Sequence, residues 1–115
     1  MTHGAKVLLH WLNRPSDGSP QGRHFSRPAR FDHQGDDWTS DAWSLVVDVK
    51  GRPNLEGYQD GTVRFLMPAA PQVWLSVGQR FTLFDGRLPI AEGEVKRVLP
   101  EPKGERRKGI KTKRQ

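Results

Sequence analysis

Apolar residues recur at every second position over short stretches of this chain, which is the period of strands and not of helices. Val7, Leu9 and Trp11 alternate with Leu8, His10 and Leu12, so residues 5–12 predict a first strand, largely apolar on both faces. Residues 13–22 hold almost nothing to bury and many turn formers, and predict a loop. Residues 23–41 run from a basic half (Arg23, His24, Arg27, Arg30) to an acidic half (Asp32, Asp36, Asp37, Asp41); they predict a long excursion with a short strand at Arg30-Phe31. The clearest strand spans 42–49, with Trp43, Leu45, Val47 and Val49 on one face and Ser44, Val46 and Asp48 on the other; Pro53 and Asn54 end it. A further strand over 61–67 places Val63, Phe65 and Met67 together, and Val73-Trp74-Leu75 predicts a loop anchor.

The last pattern is a hairpin. Phe81, Leu83 and Asp85 alternate with Arg80, Thr82 and Phe84, and Asp85-Gly86 supplies a turn because glycine takes the positive φ that tight hairpin turns require. On the returning strand Ala91, Gly93 and Val95 share one face, and Glu92, Glu94 and Lys96 the other. Five or six short strands, frequent turn signals and no helical period predict an all-β protein, a Greek-key-like barrel of about six strands. Twelve glycines and nine prolines in 115 residues fit many short strands better than long helices.

Charge divides the chain in two. Residues 1–102 hold 12 Lys/Arg and 12 Asp/Glu, so the whole net charge of +6 lies in residues 103–115. There Lys103, Arg106, Arg107, Lys108, Lys111, Lys113 and Arg114 face Glu105 alone, and Ile110 is the one strongly apolar side chain. Such a segment cannot offset its ordering entropy by burial, so residues 1–102 are expected to form the barrel domain and 103–115 a disordered basic tail. A flexible cationic arm attracts polyanions by counterion release; the alternative is a solubilising tail with no specific partner. There is no cysteine, which fits a reducing compartment. No run approaches the roughly 18 apolar residues of a membrane span, so a cytoplasmic monomer is the expectation.

The order Gly78-x-Arg80-Phe81-x-Leu83-x-Asp85-Gly86-Arg87, followed by Ile90-Ala91-x-Gly93-x-Val95, resembles the closing hairpin of the C-terminal β-barrel domain of elongation factor Tu, where Gly-Leu-Arg-Phe-Ala-Ile-Arg-Glu-Gly-Gly-Arg precedes Val-Gly-Ala-Gly-Val-Val. The resemblance extends over residues 5–99: Lys6-Val7-Leu8-Leu9 resembles that domain's opening strand, Gln21-Gly22-Arg23-His24 stands where it has Gly-Gly-Arg-His, and Leu66-Met67-Pro68 resembles its Met-Pro segment. Departures are plain. Residues 69–77 are shorter than the family's corresponding stretch, and 23–43 are longer. The family's Arg-Pro-Gln-Phe maps either onto residues 27–30 or onto 41–44. No Gly-x-x-x-x-Gly-Lys-Ser/Thr phosphate loop is present, so the resemblance implies a freestanding binding barrel that does not hydrolyse GTP.

What the resemblance implies about function is RNA contact. The family's Arg-His and its closing glycine turn lie on the tRNA T-stem face, which carries over to Arg23, His24, Gly86 and Arg87 as a shallow basic edge. Arginines suit phosphate, and A-form RNA is recognised mainly through phosphate and 2′-hydroxyl groups. The alternative is that Arg23 pairs with Asp17 or Asp36 and that Gly86 only makes a turn. Of the four tryptophans, Trp11 and Trp43 sit in strand patterns and are expected in the core. Trp38, among acidic neighbours, is expected exposed, and with Trp74 it is a candidate protein-partner contact. Asp32, Asp36, Asp37 and Asp41 near His33 lack the spacing of a calcium loop, and His3, His10, His24 and His33 lack metal spacing; no metal, cofactor or catalytic residue is assigned. The sequence thus points to a non-enzymatic, RNA-binding or translation-associated module that takes tRNA or rRNA, with a protein-interaction module, adaptor or mimic of the elongation-factor barrel, as the alternative.

Overall fold

The computed structural model of the chain describes residues 4–13 and 23–99. Six strands form it: β1 (Gly4–Trp11), β2 (His24–Phe31), β3 (Trp43–Val49), β4 (Tyr58–Phe65), β5 (Arg80–Asp85) and β6 (Leu88–Val98). Every neighbouring pair is antiparallel, and the ring closes in the order β1-β4-β3-β2-β5-β6. The protein is therefore all-β, a closed Greek-key-like barrel in which β2, β3 and β4 form a meander. The β1-to-β2 and β4-to-β5 connections join strands that are not neighbours, at opposite ends. Antiparallel alternation gives the barrel two ends. The hairpin end gathers Trp11, His24, Val49, Tyr58, Asp85 and Leu88; the terminal end gathers Gly4, Phe31, Trp43, Phe65, Arg80 and Val98.

The predicted alternation fills the interior. Val7 and Leu9, Leu45 and Val47, Val63 and Phe65, Phe81 and Leu83, and Ala91 and Val95 are buried in one core cluster. Trp11 and Trp43 are half-buried and pack against it. The second face of β1 is not buried: Leu8 and His10 are half-exposed and Leu12 is exposed, because this wall of the ring faces outward and no described element packs over it.

Two strands differ from expectation. β2 is eight residues long, not a short strand at Arg30-Phe31. It pairs with β3 from His24 to Ala29 but with β5 only from Ala29 to Phe31, so the seam between β2 and β5 opens at Pro28, which has no N–H to give. β4 begins at Tyr58 and ends at Phe65. Met67 lies beyond it and is 54% exposed, and Pro68 follows in a turn closed by the Ala70 N–H on the Met67 carbonyl.

The early start of β4 puts a glutamine inside the barrel at the hairpin end. Gln59 is 6% exposed. Its Oε1 accepts from the Trp11 indole N–H at 2.9 Å, and its Nε2 donates to the carbonyls of Gly51 and Lys50 at 3.0 and 3.3 Å. A buried amide satisfied on both sides ties β1, β4 and the β3–β4 connection together. Gln59→Leu strands the indole N–H and two carbonyls, and is expected to lower the unfolding free energy by about 1–3 kcal/mol in urea titration. A loss below about 0.5 kcal/mol would show that this network contributes nothing net.

Candidate nucleic-acid interface

The register brings Arg23, His24, Gly86 and Arg87 to the hairpin end. Arg23 immediately precedes β2, and its carbonyl accepts the Val49 N–H at 2.9 Å. β2 runs antiparallel to β5, so the start of β2 and the end of β5 share that end. The turn between β5 and β6 is Gly86-Arg87, flanked by the pair Asp85 and Leu88, with Gly86 at φ +62°. Its sequence dictates it: a two-residue hairpin loop needs a residue tolerant of positive φ. Arg23, His24 and Arg87 are exposed.

His24 is not free. It pairs with Asp48 across β2 and β3, and its Nδ1 lies 2.6 Å from Asp48 Oδ1. That geometry has Nδ1–H donating to the carboxylate, which leaves Nε2 to meet a ligand. Both groups are more than half exposed, so the pair orients the ring and adds little stability. Asp36 belongs to the connection at the opposite end of the barrel and is not a partner of Arg23. Asp17 and the basic residues of 103–115 lie outside the described residues.

Three neighbours escaped the sequence reading. Lys50 and Arg52, on the β3–β4 connection, are exposed at this end. Both precede a break in the strand pattern and look like ordinary loop residues. Arg27 stands opposite Leu45, on the interior side at the open seam; its Nη1 donates to the Ser26 carbonyl at 3.1 Å, while Nε is buried with no partner among the described residues. Asp48, Glu56, Asp60 and Asp85 lie at the same end, so the edge mixes both signs. Its cations can clamp single phosphates, but the edge as a whole is no strong polyanion field.

The two partner candidates sit elsewhere and hold excursions to the barrel. Trp38 lies in a 3-10 turn (Trp38–Asp41), is half-buried, and stacks on Phe84 with ring centroids 4.8 Å apart. The Arg30 guanidinium lies 5.3 Å from the centre of the same Phe84 ring. Phe84 points outward from the barrel, yet it is buried because this excursion covers it. The exposure expected for Trp38 is therefore only partial. Trp74, in the turn Gln72–Trp74, packs on Phe31 at 5.4 Å and edge-on to His33 at 4.5 Å. Beside it Leu66, Met67, Val73 and Val77 are exposed. Among the described residues no three His, Asp or Glu side chains come together as a metal site.

No family model, curated protein or solved structure matches this chain.

Proposed function

We propose that this chain is a non-enzymatic RNA-binding, translation-associated module resembling the barrel of elongation factor Tu, with the hairpin end as its shaped surface and the cationic segment 103–115 adding sequence-independent affinity. The observation that carries the reading is the register of β2, β5 and β6, which gathers residues 23–24 and 86–87 at one end, as a T-stem face of that kind requires. The test is binding of labelled tRNA to the full chain and to residues 1–102, which keep all six strands, at low and physiological salt. The full chain is expected to bind with steep salt dependence. Residues 1–102 are expected to keep weaker binding that falls several-fold in Arg23→Ala and Arg87→Ala, with the salt slope shallower by about one per phosphate contact removed. No binding by the full chain at low salt overturns the reading.

A second reading, a protein-interaction module or mimic of the elongation-factor barrel, is favoured by the exposed Leu66, Met67, Val73 and Val77 beside Trp74. It requires a partner that is retained without residues 103–115 and lost on substituting Trp38 or Trp74.

A further inference from the structure

We propose that the outer wall of β4, β1 and β6 at the terminal end, through Arg64, Lys6 and Arg97, is a docking face for the RNA phosphate backbone. This rests on the RNA-binding reading and moves its main electrostatic surface away from the hairpin end.

The three cations are far apart in sequence and adjacent in the sheet. Lys6 is paired with Arg97 across β1 and β6, and with Thr62 across β1 and β4; Arg64 is therefore the diagonal neighbour of Lys6. Directly paired residues stand about 5 Å apart and diagonal ones about 7–8 Å. All three are exposed, and none is in an ion pair among the described residues. A β-bulge creates the arrangement. The register shifts between Lys6 and Val7, so Lys6 faces Arg97 and Lys96 is the extra residue. Lys96 is neutralised by Glu94, Nζ to Oε1 at 3.3 Å, while Arg97 is left beside Lys6. Bulges re-aim side chains.

Like charges placed directly opposite on neighbouring strands destabilise a sheet. A ligand of opposite sign removes that repulsion, and a local choice that works against the fold is a mark of function. The sign changes further along the same wall: Leu8 is flanked by Asp60 on β4 and Glu94 on β6, and His10 faces Glu92. A polyanion is thus accepted at the terminal half and repelled from the other. The exposed aromatic of this wall, Tyr58, lies at the hairpin end of β4, six residues from Arg64, and is stacked on His10 at 4.4 Å, so the contact at Arg64, Lys6 and Arg97 is to backbone phosphate and not to bases. The chain also leaves the barrel here. The Leu99 N–H donates to the Gly4 carbonyl at 2.8 Å, and the first cation of the terminal segment, Lys103, follows four residues later.

The test uses the full chain and a labelled single-stranded RNA oligonucleotide, with fluorescence anisotropy over a salt series. The triple variant Lys6→Gln/Arg64→Gln/Arg97→Gln is expected to lose roughly tenfold or more in affinity at low salt. Its slope of log K on log salt should be shallower by about 2, as removal of three single-strand phosphate contacts requires. Arg23→Gln/Arg87→Gln should have the smaller effect. Thermal denaturation of the triple variant should show no loss of stability, since a repulsion is removed. Amide shifts in the unsubstituted chain on adding RNA should appear at residues 4–8, 62–66 and 95–98. Parent-like affinity and slope in the triple variant, or shifts confined to 23–24 and 85–88, overturn the proposal while leaving the RNA reading intact. Absence of RNA binding by the parent at low salt overturns that reading itself. Loss of binding to phosphatidylserine vesicles but not to RNA in the triple variant also overturns the proposal, assigning the face to a membrane surface.

Discussion

Gly93→Ala is expected to lower the unfolding free energy by about 3 kcal/mol, the upper part of the range for an overpacked core. Gly93 lies on the interior face of β6, directly opposite Phe81 on β5. A Cβ at residue 93 would stand 2.3 Å from Phe81 Cζ and 2.6 and 3.0 Å from its two Cε atoms. The ring has nowhere to withdraw. Phe81 is 1% exposed, and its centroid is 5.6 Å from that of Phe31, which in turn packs on Phe65 at 5.9 Å. Either the ring leaves its rotamer or β6 moves off β5, and the hairpin is what places Gly86 and Arg87. In thermal denaturation the variant should melt roughly 10–15 °C below the parent. Combining it with Phe81→Leu should cost less than the two single changes added, because the shorter side chain vacates the space over residue 93. A variant melting within about 3 °C of the parent would show that the ring does not rest on the glycine.

The alternation that exposes this hairpin in the sequence is strong because the interior positions Phe81 and Leu83 on β5 and Ala91, Gly93 and Val95 on β6 are all small or apolar. The same rule made β3 and the interior face of β1 legible. β2 was hidden because its interior positions are Phe25, Arg27, Ala29 and Phe31, and an arginine at an inward position breaks the apolar period. Pro28 argues further against a strand, and it is tolerated because β5 has already separated from β2 at that point. The start of β4 was hidden by Gln59, whose burial depends on a tryptophan 48 positions away. Phe84 shows the opposite limit: alternation places it outward, correctly, but only the folded excursion with Trp38 makes it buried. Candidate sites followed the same division. Arg23, His24, Gly86 and Arg87 were found because two short motifs resemble a known barrel. Lys6, Arg64 and Arg97 each occupy an unremarkable outward position, and only the register with its bulge makes them neighbours.

Phe31→Ala carries the other large expected effect, a loss of about 3–5 kcal/mol, a considerable part of the 5–15 kcal/mol typical of a folded domain. Phe31 is fully buried at the terminal end, where its ring meets Phe65, Phe81, Trp74 and His33 at 5.9, 5.6, 5.4 and 6.0 Å. It is thus the point where three walls of the barrel and both excursions converge. Truncation leaves a cavity among groups fixed by their own strands, so collapse is incomplete and the cost falls in the upper range for a deleted aromatic. The consequence is also local. Among the described residues Trp74 keeps His33 alone as a ring partner, and Leu75, 2% exposed beside it, loses the support that seals the terminal end. Hydrogen exchange should therefore accelerate at residues 65 and 72–75 well beyond the global change, while the ladder from Leu9 to Gly93 should follow global unfolding alone. Phe65 adjoins Arg64, so, if the proposed RNA docking holds, a Phe31→Leu variant, milder in stability, is expected to disturb RNA affinity through the outer wall of β4 more than through Arg23 or Arg87. Uniform acceleration across the barrel, or a urea midpoint unchanged in Phe31→Ala, would remove Phe31 from this role.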